Sequence, residues 1–201
     1  RSSAWMNSSS YTEMMASAVD FLGHGVSLDN EESECLRLLG EVHLFHRNYE
    51  KAESYLRRAH SFNPNDDRIL SQMSAFLTYI DQPVEAVEFA RLGIRLNPYH
   101  PGFYRFNLGR ALMCLGQYEE ASQEIIAASP QRNLYRPYLA GCYAALGRNE
   151  DAARVAADVF AAEPEFTLEY FKATMLFRDS AVIDRLLGLM EKAGLPRENR
   201  G

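Results

Sequence analysis

Cysteine is scarce in this sequence: the chain includes three, Cys35, Cys114 and Cys142. They lie too far apart in the chain to form a metal-binding knuckle, and an odd number does not complete a set of disulfides. We therefore expect free thiols, buried or half-buried, in a reducing, cytoplasmic compartment, with a redox role as the alternative. The sequence predicts no metal and no cofactor.

Long apolar runs are also missing. No stretch approaches the roughly 18 consecutive apolar residues that a membrane-spanning helix needs, so no membrane is expected as a partner. Residues 1–10 lack the apolar core of a signal peptide, and we expect a linker or the artificial edge of a fragment there. The composition, 47% hydrophobic and 24% charged, is ordinary for a folded water-soluble chain.

An excess of basic residues is the third absence. The chain has 21 Lys and Arg against 27 Asp and Glu, a net charge of −6. The part of the chain up to Asp67 is clearly acidic, and the part after it is close to neutral. Because phosphate contacts need clustered Lys and Arg, no nucleic acid is expected as a partner of this segment.

What the sequence does contain is a repeated pattern with a period of about 34 residues. Ala86 follows Ala52 at the same interval at which Pro98 follows Pro64. This spacing predicts helical hairpins in four units, 33–66, 67–100, 101–132 and 133–164. Small residues, Gly109 and Ala121 among them, would let two antiparallel helices approach closely.

The interval from Ala121 to Ala152 is shorter than this period by about one helical turn. The missing turn must come out of the segment that follows Ala121. We therefore predict a short second helix in the third unit.

The flanks of the four units depart from the period. Residues 11–32 are predicted to form a partial first hairpin, and residues 165–196 a pair of C-terminal capping helices. The first capping helix is expected over Leu168–Phe177, and the tail is 197–201. The second carries an apolar stripe that should be buried against the fourth unit and the first capping helix, since a repeat array needs its exposed end covered. The stripe consists of Val182, Ile183, Leu186, Leu187 and Met190.

The repeated pattern of Leu, Gly, Ala and Pro positions resembles the tetratricopeptide repeat. The resemblance covers residues 33–164 and implies an all-α, right-handed superhelix, an α-α solenoid. Residues 95–121 and 178–196 are similar to the carboxy-terminal repeat region of bacterial class III adenylate cyclases and of related repeat-bearing transcriptional regulators. The second stretch departs from that pattern at Arg178, Ser180 and Met190, and the cyclase catalytic domain itself is absent.

No catalytic constellation is recognisable, so the segment is expected not to be an enzyme. His43 and His46 share a helix face, but a metal site needs a third convergent ligand. His43 stands at a repeat position usually filled by a packing Tyr, which favours a role in packing or at the surface.

The resemblance implies a partner-binding groove, because the first helices of such repeats line the concave side. The partner would be a polypeptide segment, intramolecular or from another protein, and homo-oligomerisation stays open. Packing between hairpins is the alternative role for several of these side chains. A free-standing adaptor or secretion chaperone is the alternative to a regulatory module of a signalling protein. The implied groove residues are Arg68, Gln72, Tyr79, Phe103, Phe106, Asn107 and Arg110.

Overall fold

The structure, a computed structural model, describes residues 33–129 and 134–198. Within these ranges the chain forms ten α-helices and no β-strand, which confirms the predicted all-α class. The helices are α1 Ser33–Phe45, α2 Tyr49–Phe62, α3 Asp67–Tyr79, α4 Pro83–Leu96, α5 Gly102–Cys114, α6 Tyr118–Ala127, α7 Arg136–Ala145, α8 Asn149–Ala162, α9 Leu168–Lys172 and α10 Ser180–Lys192.

The chain divides into two compact units that are larger than the predicted hairpin units: the first is residues 1–72 and the second is residues 73–201. The boundary falls inside α3. The predicted linker (1–10) and partial hairpin (11–32) lie outside the described residues, as does the end of the tail.

In the first unit, α1 and α2 pack as a helical hairpin. The side chain of Asn48 caps α2 by accepting a hydrogen bond from the backbone N–H of Lys51 at 3.4 Å. The helices approach closely because Gly40 has no side chain. A Cβ atom at that position would lie 2.5 Å from Cγ of Leu56 and 3.3 Å from the carbonyl oxygen of Ala52.

The turns from α1 to α2, α3 to α4, α5 to α6 and α7 to α8 share one backbone conformation. The helix before each turn ends shortly before a residue of positive φ: Arg47 (56°), Asp81 (63°), Gly116 (76°) and Gly147 (73°). The N–H of the next residue then donates to a carbonyl five positions earlier, at 2.8 to 3.0 Å. This is the left-handed helix ending that glycine adopts without strain. The first two of these turns adopt it without glycine.

In the second unit, α4 packs on α5, α5 on α6, α6 on α7 and α7 on α8. Gly109 is the close-approach point of α5 and α6. A Cβ there would lie 2.7 Å from Cγ1 of Ile125 and 3.0 Å from the carbonyl oxygen of Ala121. Helix α6 has 10 residues, against 14 in α4 and α8. This confirms the short second helix that was predicted for the hairpin of residues 101–132.

The C-terminal region follows the prediction in part. All five stripe residues of α10 are buried, and α10 packs on α7 and α9. The expected helix over Leu168–Phe177 is wrong in extent, because α9 ends at Lys172 and a turn follows. Further along this non-helical stretch, the N–H of Arg178 donates to the carbonyl oxygen of Tyr79 at 2.8 Å.

The longest helices of the described ranges, α2, α4 and α8, have 14 residues each. None of the helices in those ranges is long and apolar enough to cross a membrane.

Candidate functional site

Four of the seven predicted groove residues contact one another in the second unit. One guanidinium nitrogen (Nη1) of Arg110 donates a hydrogen bond to the hydroxyl of Tyr79, and the other (Nη2) donates to Oδ1 of Asn107 at 3.1 Å. The guanidinium carbon lies 4.2 Å from the ring centroid of Tyr79 and 5.3 Å from that of Phe106. We call Tyr79, Phe106, Asn107 and Arg110 the Arg110 cluster.

The spacing along α5 explains why three members of this cluster meet. Residues three and four apart lie on one helix face, which aligns Phe103 with Phe106 and Asn107, and these with Arg110. Tyr79 comes from the end of α3, which is the first helix of the preceding predicted hairpin.

The members of this face differ in exposure. Phe106, Asn107 and Arg110 are buried, with 3%, 8% and 5% of their surfaces accessible. Tyr79 is half-buried. Phe103 is 42% exposed, and its ring packs edge-on against that of its neighbour Tyr104. The face therefore presents one accessible aromatic ring beside a polar cluster that is covered.

Two tyrosines, one directly before α7 and one within it, cover this face. The ring of Tyr135 stacks on Phe106 with centroids 3.8 Å apart, and Tyr138 meets the same ring edge-on at 5.3 Å. Tyr138 lies in the first turn of α7. Tyr135 precedes α7 and has no counterpart in the repeat pattern, so sequence reasoning missed it.

A segment beyond the repeats also reaches the cluster. Phe177 packs edge-on against Tyr79, with ring centroids 5.1 Å apart. The next residue, Arg178, makes the backbone hydrogen bond to the Tyr79 carbonyl described above. The only sequence signal for this contact was the aromatic richness of Leu168–Phe177. This side of Tyr79 is thus met by a non-helical stretch of the chain itself.

The remaining two predicted groove residues belong to the first unit. Nη2 of Arg68 donates to Oδ2 of Asp66 at 3.2 Å, and Nη1 donates to Oε1 of Glu34 at 3.4 Å. The hydrogen bond with Asp66, together with the charge of Glu34, raises the pKa of Arg68. Gln72 lies one turn further along α3 and is half-buried. Arg68 is thus engaged by carboxylates of its own unit.

Two side chains near the Arg110 cluster, Cys114 and Tyr138, have pKa values that are shifted mainly by burial. Burial raises the pKa of the Cys114 thiol to about 11, and the charge of Arg110 opposes this rise. Burial likewise raises the pKa of Tyr138, against the same charge. Both groups are neutral near pH 7, so they bring no charge to the guanidinium.

Metal-ligating residues do not converge in the described ranges: no group of three or more His, Cys, Asp or Glu side chains there could hold an ion. His43 instead stacks on the ring of Tyr55, with centroids 5.4 Å apart and an interplanar angle of 2°. This stacking agrees with the packing role that the repeat position of His43 favours.

Comparison with solved structures decides the fold. The chain superposes on PilW, a widely conserved type IV pilus biogenesis factor, with a TM-score of 0.72 at 18% identity, covering 92% of this chain and 83% of that one. A tetratricopeptide repeat protein from Parabacteroides merdae gives 0.64 at 16% identity, over 90% and 79% of the two chains. The chain has the tetratricopeptide repeat fold.

A further tetratricopeptide repeat protein, YrrB, which has an unusual peptide-binding site, matches with a TM-score of 0.60 at 15% identity. The match covers 86% of this chain and 90% of YrrB. No protein-family model and no curated protein matches the sequence. At these identities the comparisons establish the tetratricopeptide repeat fold and leave function to the chemistry of the site.

Proposed function

We propose that this chain is a non-catalytic interaction module that binds a polypeptide segment along the first helices of its repeats. The observation that carries the proposal is the Arg110 cluster. Side chains from two successive first helices, α3 and α5, combine aromatic rings with guanidinium and amide groups in one place. Such a combination suits a polypeptide, which offers both apolar side chains and hydrogen-bonding backbone groups.

Phe103 is the accessible anchor of this proposed site. It is 42% exposed and stands on the same face of α5 as Phe106 and Arg110. Large aromatic side chains contribute a disproportionate share of binding energy at interfaces, and truncating such an anchor typically costs about 2 kcal/mol or more. The contact of Phe177 and Arg178 with Tyr79 supports the choice of an extended partner. These two residues belong to a non-helical stretch of the chain, and that stretch packs against Tyr79 and donates a hydrogen bond to its backbone at the edge of the cluster.

The proposal extends to the parent protein. The similarity of residues 95–121 and 178–196 to the repeat region of adenylate cyclases and of repeat-bearing transcriptional regulators supports a regulatory module of a bacterial signalling protein in the cytoplasm. The partner segment would then come from the same protein or from another one. A free-standing adaptor or secretion chaperone with the same groove is the second candidate. The sequence of the complete gene would distinguish these two candidate functions.

The experiment begins with dodecapeptides selected from a displayed random library on the full chain. Their affinity is then measured by fluorescence polarisation for the wild type, Phe103→Ala and a control, Val84→Ala. Val84 is a suitable control because it is 63% exposed and lies at the start of a second helix, α4. We expect Phe103→Ala to weaken binding at least tenfold and Val84→Ala to leave it unchanged. Equal affinities, or a loss only in the control, would contradict the proposed site.

A further inference from the structure

Residues 173–179 join α9 to α10 without helical structure, and we call them the strap. The N–H of Arg178 donates to the carbonyl oxygen of Tyr79 at 2.8 Å, and the ring of Phe177 meets the ring of Tyr79 edge-on at 5.1 Å. Phe177 is 3% accessible and Met175 is 1% accessible. The strap therefore occupies the end of the Arg110 cluster at which Tyr79 stands.

The side chains of the strap alternate in exposure. Met175 and Phe177 are buried, Leu176 between them is half-buried, and Arg178 after them is exposed. Alternation with a period of two is typical of an extended chain, in which successive side chains point to opposite sides. The strap thus contacts Tyr79 as an extended peptide ligand would, with a buried side chain and a backbone hydrogen bond.

The acceptor of this hydrogen bond is a carbonyl group that α3 itself cannot use. Tyr79 is the last residue of α3, and a helix carbonyl bonds to the N–H four residues later. The fourth residue after Tyr79 is Pro83, which has no N–H. The end of α3 therefore presents a fixed acceptor to a backbone N–H that comes from elsewhere in the chain or from a partner.

The two helices that flank the strap are held by contacts of their own. The N–H groups of Leu168 and Glu169 in α9 donate to carbonyl oxygens of the chain after α10, at 2.8 and 3.1 Å. Helix α10 packs on α7, and its apolar stripe is buried. The strap can therefore leave Tyr79 while both of its ends stay in place.

We propose that the strap is a built-in ligand of the partner site, and that the bound partner segment replaces it beside Tyr79. The inference rests on the proposed function and adds the chemistry of the partner and the regulation of its binding. A segment that replaces the strap must offer what the strap offers. It carries two apolar side chains separated by one residue, as Met175 and Phe177 are, and a backbone N–H directly after the second.

The distances fit one extended segment that covers both Phe103 and the position of the strap. Phe103 lies two turns before Arg110 on α5, about 10 Å along the helix axis, and Arg110 contacts Tyr79. An extended chain advances about 3.3 Å per residue. A segment anchored at Phe103 therefore reaches the level of Arg110 within about four residues, and a dodecapeptide is long enough to occupy both positions.

Competition with the strap lowers the apparent affinity of the wild type, because only chains with a displaced strap offer the whole site. Phe177→Ala removes the ring that packs on Tyr79, so it should raise the affinity for a selected dodecapeptide at least about tenfold. Phe166→Ala is the matched control, since Phe166 is also 3% accessible but lies outside the strap. The control should destabilise the fold and leave the affinity unchanged.

Hydrogen exchange of the wild type measures the displacement without any variant. Bound dodecapeptide should accelerate exchange of the strap, the N–H of Arg178 included, because the peptide takes over its acceptor. The N–H groups inside α10 should keep their protection, since this helix stays in place. This measurement decides the matter if Phe177→Ala does not fold.

A heptapeptide with the sequence of the strap, Ala-Thr-Met-Leu-Phe-Arg-Asp with blocked ends, tests the chemistry of the partner. It should displace a labelled dodecapeptide from Phe177→Ala, and the same heptapeptide with its Phe replaced by Ala should not.

Three results would overturn the inference: unchanged affinity in Phe177→Ala, an equal gain in Phe166→Ala, or unchanged exchange of the strap when the dodecapeptide is bound. If any of these occurs while binding still depends on Phe103, the strap has no part in binding and the proposed function stands. If binding does not depend on Phe103 either, both the inference and the proposed function are wrong.

Discussion

Replacing Gly109 by alanine should destabilise the second unit, although the same change stabilises most helices. Alanine is favoured over glycine inside a helix by about 1 kcal/mol. At Gly109 the added methyl would lie 2.7 Å from Cγ1 of Ile125, 3.0 Å from the Ala121 carbonyl oxygen and 3.3 Å from the Ile125 nitrogen. Two of these three atoms are backbone, so α5 and α6 must move apart to admit the methyl.

The sign follows from comparing the two effects. Inserting a methyl into a well-packed interface costs typically about 1 to 3 kcal/mol, which exceeds the gain in helix propensity. We therefore expect a net loss of about 1 kcal/mol, or roughly 2 to 4 °C in melting temperature for a domain of this size. Gly109→Val adds two further carbons without comparable propensity gain, and its loss should be larger.

The assay is urea unfolding followed by circular dichroism, with Gly188→Ala as the matched control. Gly188 is an exposed glycine inside α10, and a Cβ atom there would meet nothing within 4 Å. Gly188→Ala should raise the midpoint by the propensity gain alone, while Gly109→Ala lowers it. A rise in both variants would show that α5 and α6 do not depend on the missing side chain.

Three further predictions concern stability. Truncation after Pro164 should lower the melting temperature or cause aggregation, because it uncovers the α7 surface against which α10 packs; a truncated chain as stable and monomeric as the parent would refute the capping role. Gly147→Ala should cost about 1 kcal/mol, since φ is +73° there, whereas Gly147→Asn should cost less; equal denaturation midpoints would contradict this. Burial, followed by the charges of Lys51 and His46, lowers the pKa of His43 in the folded state. The free energy of unfolding should therefore fall as the pH drops below about 6.5. Thermal melts at pH 7.5 and 5 test this, and the difference between the two melts should be smaller for His43→Gln.

Much of the fold could be predicted from the sequence because the rules involved are local. The interval between Ala121 and Ala152 is about one helical turn shorter than the period, and α6 is correspondingly short. The small residue at position 109 marks the close approach of two helices. Both features depend on the spacing of residues along the chain, which the sequence displays directly.

The candidate site was harder to predict because its covering groups lie outside the period. Helical spacing correctly places Phe106 and Arg110 on one face of α5, but it does not say what packs over that face. Tyr135 comes from the connection before α7, and Phe177 from a stretch whose apolar content suggested helix. Their contacts bury side chains that the repeat pattern alone would leave open to a groove.

The most direct test of the central claim is photo-crosslinking of a library-selected peptide to the full chain. The photoreactive residue p-benzoyl-phenylalanine is placed at position 103, beside the Arg110 cluster, or at position 84 on α4; both native side chains are exposed. Binding along the first helices predicts a crosslinked product for Phe103→p-benzoyl-phenylalanine and none for Val84→p-benzoyl-phenylalanine. Crosslinking at position 84 alone would place the partner on the second helices and contradict the proposed site.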